Sequence, residues 1–307
     1  MKHGFLRWLT GTPPATVGAW WNDSGLCLVR INDQAGTELR INVAYDALVQ
    51  AFQGGSGSFD VGRINVLKSS LDQVGLPPYQ LALAVPSADV FIQSIRVPAN
   101  LDDDSLAQLA VVEAVSNLPV PPEEICADFV RAGLDDKNGQ EVVKIAFCRR
   151  EIIDSLIFAA DEAGVFLAEV DRDIQALHDA ICWLLEDTEG NTVAYPMVNL
   201  IMDQAPFVLV ARDPLDLLCY PIDIANPDVI EQMRACTRRA GLSDLQEVKA
   251  FIEVRKKDAP IAELDCIGDL RVEATRLNPF ETLGIRDQIP LTPFLAALGM
   301  AIRKFCE

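Results

Sequence analysis

Residues Val17 to Ile31 read VGAWWNDSGLCLVRI, which is two short apolar runs on either side of the polar turn NDSG. Neither run has helical spacing, so the stretch predicts a β-hairpin. Nucleotide-binding proteins often begin with such a hairpin, in which an acidic residue at the end of the first strand positions a metal and a Gly- and Ser-rich turn approaches the phosphates. Trp20 stands here in place of the acidic residue. The stretch therefore indicates either a nucleotide site or the remaining framework of one.

The composition indicates a globular protein with an acidic character. The chain has 307 residues and 50% of them are apolar, which suffices for two domains or one large two-lobed unit. Its formal net charge of −19 repels polyanions at long range. This charge argues against nucleic acid or an anionic membrane as a main partner and favours a basic partner segment.

The cysteine pattern and the absence of targeting signals predict a cytoplasmic protein. The 8 cysteines form no CxxC pair and the chain has only 2 histidines, so we expect reduced, packed thiols and no metal site. No apolar run is long enough to span a bilayer, and the apolar part of MKHGFLRWL is too short for a signal peptide. Four residues of this opening could contact a membrane surface, although a cap packed on the body is favoured: Phe5, Leu6, Trp8 and Leu9.

The order of predicted elements divides the first part of the chain into three segments. Residues 1–86 contain the hairpin, the loop QGGSGSFD, a helix over Arg63–Val74 and the strand YQLALAV, and form a first lobe. Residues 87–164 follow the order strand, helix, two strands, helix, which is typical of a split α+β unit inserted into a larger fold. Residues 165–192 return to the first lobe with one strand and one helix.

Residues 193–307 form a second lobe that begins with three consecutive strands. A helix, a strand, a short helix over Ile261–Cys266, another strand, the turn NPF and a final helix follow. Both lobes open with antiparallel strands and continue into helix and parallel strand. The sequence therefore predicts an α/β protein with the duplicated architecture of the actin-like, or ribonuclease H-like, superfamily.

Several carboxylates raise the question of catalysis or metal binding. The cluster Asp102–Asp104 starts a predicted helix, where negative charge is favourable without any metal. Asp171 and Asp173 could serve acid–base chemistry or cap the helix that begins near Ile174. His178 falls on that helix, where a structural role is the more common one. We assign no chemical role to these side chains.

Long stretches of the chain resemble the family of the type IV pilus assembly protein PilM. The resemblance is carried by residues 85–133, which include the motif LPVPPEE after an acidic helix, by residues 142–181 with the RRE helix start, and by LNPFETL and PFLAALGMAIR near the end. The order of these segments agrees with the family along nearly the whole chain.

The resemblance implies an actin-like fold related to the cell-division protein FtsA, with the inserted α+β unit as the family's extra subdomain. It implies a cytoplasmic protein that binds the short N-terminal tail of the inner-membrane protein PilN, and members commonly bind ATP. Only one helix fits between Ile224 and the next strand, so the second-lobe insertion that closes over nucleotide is expected to be reduced or missing.

The chain departs from the family at each expected phosphate or metal position. In the first hairpin, Trp20, the turn NDSG from Asn22, and Cys27 replace an acidic residue, a Gly-Ser turn and a Lys. The second phosphate turn is MDQAP, with Asp203 followed by Pro206, which has no N–H to donate. Two later glycine turns are replaced near IDIANPD and EVRKKDAP. We therefore expect that ATP binding is lost, that no cofactor is held, and that the protein is a pseudo-ATPase.

A non-catalytic scaffold of a pilus assembly platform is the leading hypothesis, similar to the shortened members of mannose-sensitive haemagglutinin pilus systems. It would hold the N-terminal tail of a PilN-like protein, for example by adding a strand to a sheet edge. By resemblance the groove lies between the first lobe and the inserted unit, and its candidate residues, which could equally be core residues, are Val85, Phe91, Ile92 and Ile95.

Two alternatives stay open from the sequence. One is a working ATPase in which Asp171, Asp173 or Asp203 holds magnesium. The other is the cytoplasmic part of a type II secretion platform protein, although that class usually continues into a membrane helix and this chain ends at Glu307. In each case we expect a cytoplasmic protein that is peripheral at the inner membrane through its partner, with an assembly ATPase or a second copy as further partners.

Overall fold

The computed structural model describes residues 15–22, 25–34, 38–47, 61–75, 79–135, 140–189, 193–203, 205–223, 226, 228–242, 248–255, 274–286 and 289–303. Five sequence predictions lie wholly or partly outside these residues: the N-terminal cap, the loop QGGSGSFD, the helix over Ile261–Cys266 and the two later turns near IDIANPD and EVRKKDAP.

The described strands and helices follow one another in the predicted order, with two additions, Glu38–Ala47 and Pro279–Thr282. In chain order they are β1 (Ala15–Asn22), β2 (Gly25–Gln34), β3 (Glu38–Ala47), α1 (Val61–Val74), β4 (Tyr79–Val85), β5 (Phe91–Pro98), α2 (Asp103–Asn117), β6 (Ile125–Asp135), β7 (Gln140–Arg149), α3 (Arg150–Glu162), β8 (Phe166–Arg172), α4 (Asp173–Glu189), β9 (Met197–Met202), β10 (Phe207–Asp213), β11 (Asp216–Pro221), α5 (Val229–Arg239), β12 (Ala250–Arg255), β13 (Ala274–Leu277), α6 (Pro279–Thr282) and α7 (Leu291–Ile302).

Two five-stranded sheets share one topology. The first has the order β3-β2-β1-β4-β8 and the second the order β11-β10-β9-β12-β13. In each, the first three strands are antiparallel neighbours, and the two later strands run parallel to the first. The repeated order is the duplicated α/β architecture that the sequence predicted.

Strand β3 was absent from the sequence prediction, which passed from the hairpin directly to a loop. Leu39, Ile41, Val43 and Tyr45 alternate with polar residues in ELRINVAYDA, which is the pattern of a strand with one apolar face. β3 pairs with β2 over its whole length and completes the antiparallel part of the first sheet. The correction adds Tyr45 to the residues near the candidate site.

Helices α4 and α7 pack between the two large sheets. One continuous apolar core joins residues of both sheets to these two helices, and it includes Trp20, Leu177, Ile201 and Phe294. Helices α1 and α3 cover the other face of the first sheet, while α5 covers the other face of the second. The two lobes therefore share one continuous core.

Two glycines allow α7 to approach its neighbours very closely. A Cβ atom on Gly18 of β1 would lie 2.0 Å from the carbonyl oxygen of Ala297, and one on Gly299 would lie 1.7 Å from the carbonyl oxygen of Ala176 in α4. Both neighbours are backbone atoms, which cannot move aside as a side chain could. The sheet, α7 and α4 are thus in backbone contact.

The inserted unit is a three-stranded sheet of order β5-β7-β6 with α2 on one face. Asp102 precedes α2, and its side chain accepts a hydrogen bond from the backbone N–H of Ser105 at 2.7 Å. This bond lowers the pKa of Asp102. Asp103 pairs with Arg131 at 2.7 Å. Helix capping and ion pairing thus account for two carboxylates of the Asp102–Asp104 cluster.

Among the helices of the described residues, none has the length and hydropathy that a membrane span requires.

Candidate functional site

Three positions considered for a nucleotide site, Trp20, Cys27 and Asp171, lie in one row across the first sheet. The strand registers align Tyr45 with Cys27, Cys27 with Trp20, Trp20 with Ala84, and Ala84 with Asp171. The row lies near the carboxyl ends of the parallel strands, which is where open α/β sheets bind ligands. Its buried members belong to the core that contains α4 and α7. Any phosphate or metal site of the first lobe would have to be built from this row.

The centre of the row is apolar and buried. Trp20 is 5% exposed and Cys27 is 0% exposed. Burial raises the pKa of the Cys27 thiol far above its ordinary value, so it stays protonated. The indole Nε1 of Trp20 has no hydrogen-bond partner within the described part of the chain. These two side chains fill space and provide neither charge nor a metal ligand.

A side-chain hydrogen bond joins the end of β1 to the start of β2. The Oδ1 atom of Asn22 accepts a hydrogen bond from the N–H of Gly25 at 3.2 Å. The N–H group of Gly25 is therefore engaged by a side chain of the same turn.

Tyr45 adds to the filling of this region, and the sequence analysis missed it because β3 was missed. It packs against the same core as Trp20. Burial raises the pKa of its phenol, and the nearby Cys27 and Asp203 raise it further. Tyr45 therefore lies within electrostatic reach of the turn that follows β9, on the side of the second lobe.

Asp203 and Pro206, from the turn MDQAP that the sequence analysis compared with a phosphate turn, make hydrogen bonds within the protein. The Oδ2 atom of Asp203 accepts a hydrogen bond from the backbone N–H of Thr292 at 2.7 Å, in the first turn of α7. The carbonyl oxygen of Pro206 accepts one from the N–H of Ile222 at 3.1 Å. An acceptor at a helix N-terminus satisfies a backbone donor that the helix itself leaves unpaired. Asp203 thus joins the turn after β9 to the start of α7.

Asp173 is held by the chain segment that follows β4. Its Oδ1 atom accepts hydrogen bonds from the N–H of Ser87 at 3.0 Å, from the Ser87 hydroxyl, and from the N–H of Ile174 at 2.7 Å. Burial raises the pKa of Asp173, while these hydrogen bonds act in the opposite direction. The bond to Ile174 lies at the start of α4, where the sequence analysis offered capping as one role for the carboxylate.

Asp171 belongs to a cluster around Arg303 that the sequence analysis did not identify. Arg303 is the residue after α7. Its guanidinium donates hydrogen bonds to the carboxylates of Glu169, Asp171 and Asp179, the last at 2.9 Å. Burial alone would lower the pKa of Arg303, but the three carboxylates outweigh it and raise that pKa. Residues 124 to 134 positions apart meet here, so no local sequence signal could reveal the cluster.

Within the described residues, the groups considered for a magnesium nucleotide are bonded inside the protein or apolar. Such a ligand requires free carboxylates for the metal and free backbone donors for the phosphates. Asp171, Asp173 and Asp203 each bond to a protein donor, and Trp20 and Cys27 are apolar in character. No group of three or more His, Cys, Asp and Glu side chains with metal-binding geometry occurs in the described ranges.

His178 lies at the junction between α4 and the second lobe. It is 1% exposed, and its Nε2 atom is 2.9 Å from the hydroxyl of Tyr195 and 3.5 Å from the thiol of Cys182. Burial lowers the pKa of His178 to about 4, so the ring is neutral at physiological pH. This environment is typical of a structural histidine, which is the role that the sequence analysis favoured.

The four residues proposed for a partner groove are only partly brought together. Phe91, Ile92 and Ile95 lie on β5, where Phe91 is 46% exposed and Ile92 is 39% exposed. Ile95 is half-buried against the core under α2. Val85 is 3% exposed and packs in the separate core beneath α1 and α3, which leaves almost no surface for a partner. Core packing, the alternative role, is thus the one that the surroundings of Val85 favour.

Strand β5 has one side without a partner strand in the described residues, because the sheet order is β5-β7-β6. Phe91 stacks on Phe147 of β7, with ring centroids 5.5 Å apart and planes inclined by 11°. Ile92 points to the opposite face of the sheet, since side chains alternate along a strand. An open backbone edge thus has an exposed apolar side chain on each face.

Comparison with known proteins gives one family and a common fold. Residues 58–201 match the family model described as type IV pilus assembly protein PilM. A solved PilM-PilN type IV pilus biogenesis complex contains a chain that is 17% identical with a TM-score of 0.62, over 94% of this chain and 98% of that chain. The cytoplasmic domain of EpsL, an inner-membrane component of the type II secretion system of Vibrio cholerae, is 9% identical with a TM-score of 0.52, over 88% of this chain and 92% of that chain. The predicted two-lobed, actin-like α/β fold is confirmed by these similarities.

Proposed function

We propose, from the match of residues 58–201 to the PilM family model, that the chain is a member of this family and a non-catalytic scaffold of a type IV pilus assembly platform. Its partner is the N-terminal cytoplasmic tail of a PilN-like inner-membrane protein. The protein itself is cytoplasmic and reaches the inner membrane through that partner. The observation that carries the proposal is the open edge of β5, with Phe91 and Ile92 exposed beside it.

The edge of β5 suits a short extended peptide. A peptide that adds a strand to a sheet gains backbone hydrogen bonds along the edge, and its alternate side chains contact both faces. Phe91 lies on the face that α2 covers, and Ile92 lies on the other face. Arg96 and Pro98 occupy the far end of the strand, and such residues discourage pairing there. The peptide therefore pairs with the half of β5 between Phe91 and Ile95.

The charge of the protein favours a basic tail. A formal net charge of −19 attracts a cationic segment at long range and accelerates its encounter with the protein. Affinity then depends on the apolar contacts, because buried apolar and aromatic side chains dominate binding energy at interfaces. Phe91 and Ile92 are consequently the residues whose replacement should weaken the complex most.

We expect that Phe91→Asp and Ile92→Asp each weaken binding of a PilN-like tail peptide by about ten-fold or more, since a lost apolar anchor costs about 1–2 kcal/mol and the introduced charge adds to this. The measurement is calorimetric titration of the full chain with a synthetic peptide of the tail encoded by the neighbouring gene. The matched control is Val130→Asp on β6, the strand at the opposite edge of the three-stranded sheet, where the side chain is 45% exposed. Unchanged affinity in both β5 variants, with an intact fold by circular dichroism, would remove β5 from the interface.

Strand addition has a further signature in the peptide itself. Methylation of alternate backbone nitrogens removes the donors that would pair with the edge but leaves every side chain in place. We therefore expect an N-methylated peptide to bind much more weakly than the same peptide methylated one residue further along. Equal affinities for the two methylation patterns would indicate a side-chain groove and not an added strand.

The proposal gives the protein no ATPase role. The carboxylates that could hold magnesium are used to cap α7, to fix the start of α4 and to pair with Arg303. Each missing hydrogen bond to a charged phosphate costs about 1.5–3 kcal/mol, so the combined loss of several removes useful affinity. A fold that once positioned a nucleotide would then serve docking alone.

We expect no saturable heat when the full chain is titrated with magnesium ATP up to about 1 mM, since only an affinity tighter than about −4 kcal/mol would be visible there. A nucleotide-binding actin-like protein in the same buffer serves as the positive control. Saturable binding of ATP in the micromolar range would contradict the pseudo-ATPase assignment but would leave the peptide interface untouched.

A further inference from the structure

The outer face of α3 carries an apolar pair framed by carboxylates. Ile157 and Phe158 are 44% and 54% exposed. The one basic residue of the helix, Arg150, donates to the main-chain carbonyl oxygens of Glu123 and Ile125 and so turns away from the middle of the helix. Three exposed acidic residues lie one turn before or after the apolar pair. The α3 patch is defined here as Asp154, Ile157, Phe158, Asp161 and Glu162.

The α3 patch lies near the end of the first sheet at which β1 begins. Helix α3 ends at Glu162, and β8 begins four residues later at Phe166. Phe166 is paired with Gln80 of β4, and Gln80 is paired with Thr16 of β1. Neighbouring strands lie about 4.8 Å apart, so the start of β1 is about 10 Å from the start of β8. The chain that leads into β1 therefore enters the sheet beside the C-terminal end of α3.

The sequence that precedes β1 has the complementary chemistry. Residues 2–9, KHGFLRWL, combine Lys2 and Arg7 with four large apolar side chains, and the first acidic residue of the chain is Asp23. In a chain with a net charge of −19, this is a conspicuously cationic segment. The five residues 10–14 can bridge up to about 17 Å, which exceeds the separation of the two strand starts.

We propose that residues 2–9 of this chain dock on the α3 patch. The apolar side chains of the segment cover Ile157 and Phe158, and Lys2 and Arg7 pair with the carboxylates around them. Apolar burial supplies the affinity, and the charges set the orientation. Because the segment is tethered to β1, its effective concentration at the patch is high and a modest intrinsic affinity suffices. This surface lies on α3 and is separate from the β5 edge.

A photo-crosslinking amino acid in place of Phe158 tests the proposal in the full chain. With p-benzoylphenylalanine at position 158, irradiation followed by digestion and mass spectrometry should give crosslinks to residues 2–9 of the same chain. A mixture of isotopically labelled and unlabelled protein separates crosslinks within a chain from those between chains. The same amino acid at Val112, which is 61% exposed on α2, is the control and should give no such product.

Charge variants make the test specific. The double variant Lys2→Glu and Arg7→Glu should lower the crosslink yield by about five-fold or more, because it places like charges opposite each other. Adding Asp154→Lys and Glu162→Lys to that variant should restore most of the yield. The proposal would be overturned if position 158 gave crosslinks only to a second chain or to no residue before β1. It would also be overturned if neither set of charge variants changed the crosslink yield.

Discussion

Replacing Gly299 with alanine is expected to lower the free energy of unfolding by about 3 kcal/mol or more, as severe overpacking does. Helix propensity alone predicts the opposite sign, because alanine is favoured over glycine in a helix by about 1 kcal/mol. The steric term decides, since the new Cβ atom would lie 1.7 Å from the carbonyl oxygen of Ala176 and 2.4 Å from its carbonyl carbon. Helices α4 and α7 would have to separate, which opens the core shared by the two sheets.

Urea denaturation measures this effect directly. The matched control is Ala297→Gly in the same helix, which removes a methyl group and should cost about 1–2 kcal/mol from propensity and burial. A stabilised Gly299→Ala protein would mean that α4 and α7 are not in backbone contact. Such a result would also weaken the description of a single core that spans both lobes.

Replacing Arg303 with methionine is expected to cost about 2–3 kcal/mol of stability at neutral pH. Removal of one partner from a buried ion pair costs about 3–5 kcal/mol because it leaves unpaired charge behind. The lower figure applies here because the Arg303 side chain is 22% exposed and its partners are more exposed still. The matched control is Arg149→Met, whose pair with Glu151 is exposed and should contribute less than about 0.5 kcal/mol.

The pH dependence of the Arg303→Met deficit identifies its cause. Burial already raises the pKa of Asp179, and Arg303 opposes that rise. Without Arg303, the pKa of Asp179 in the folded state rises further above the unfolded value. A raised carboxylate pKa gives stability that is present at low pH and lost as the pH rises through the folded pKa. The deficit should therefore be greatest near pH 7 and shrink toward pH 4, whereas a deficit independent of pH would indicate lost packing of the arginine stem.

Regular patterning explains why most of the fold could be predicted from the sequence. The apolar run MVNLIM predicted a strand, and the acidic residues Asp103 and Asp104 before an amphipathic stretch predicted a helix start. Both elements are present in the structure. Strand β3 was missed although its alternation is a local strand signal, because the prediction passed from the hairpin to the loop QGGSGSFD and assigned no element to residues 38–47. The one-turn helix Pro279–Thr282 was read as a turn, although Asn278 caps it through the N–H of Glu281.

The candidate site was less predictable because its decisive contacts join distant residues. Trp20 and Cys27 could be recognised as departures from a nucleotide site by their positions in a hairpin. Asp203 bonds to Thr292, which is 89 residues away, and Asp171 bonds to Arg303, which is 132 residues away. No spacing in the sequence predicts contacts over such separations. For Val85 and Phe91, an apolar side chain that lies in the core and one that lies at an edge look alike in the sequence.

The helix that runs between the two sheets has a mechanical consequence. In a molecular clamp, two rigid halves swing about a hinge, and the space between them must be free to open. Here α7 is fixed at one end by Asp203 and at the other by Arg303, and its backbone contacts both a strand and a second helix. Opening would expose the apolar side chains of both halves to water. Rigid-body movement of the two halves should therefore be small, because it would have to break these hydrogen bonds and open the shared core.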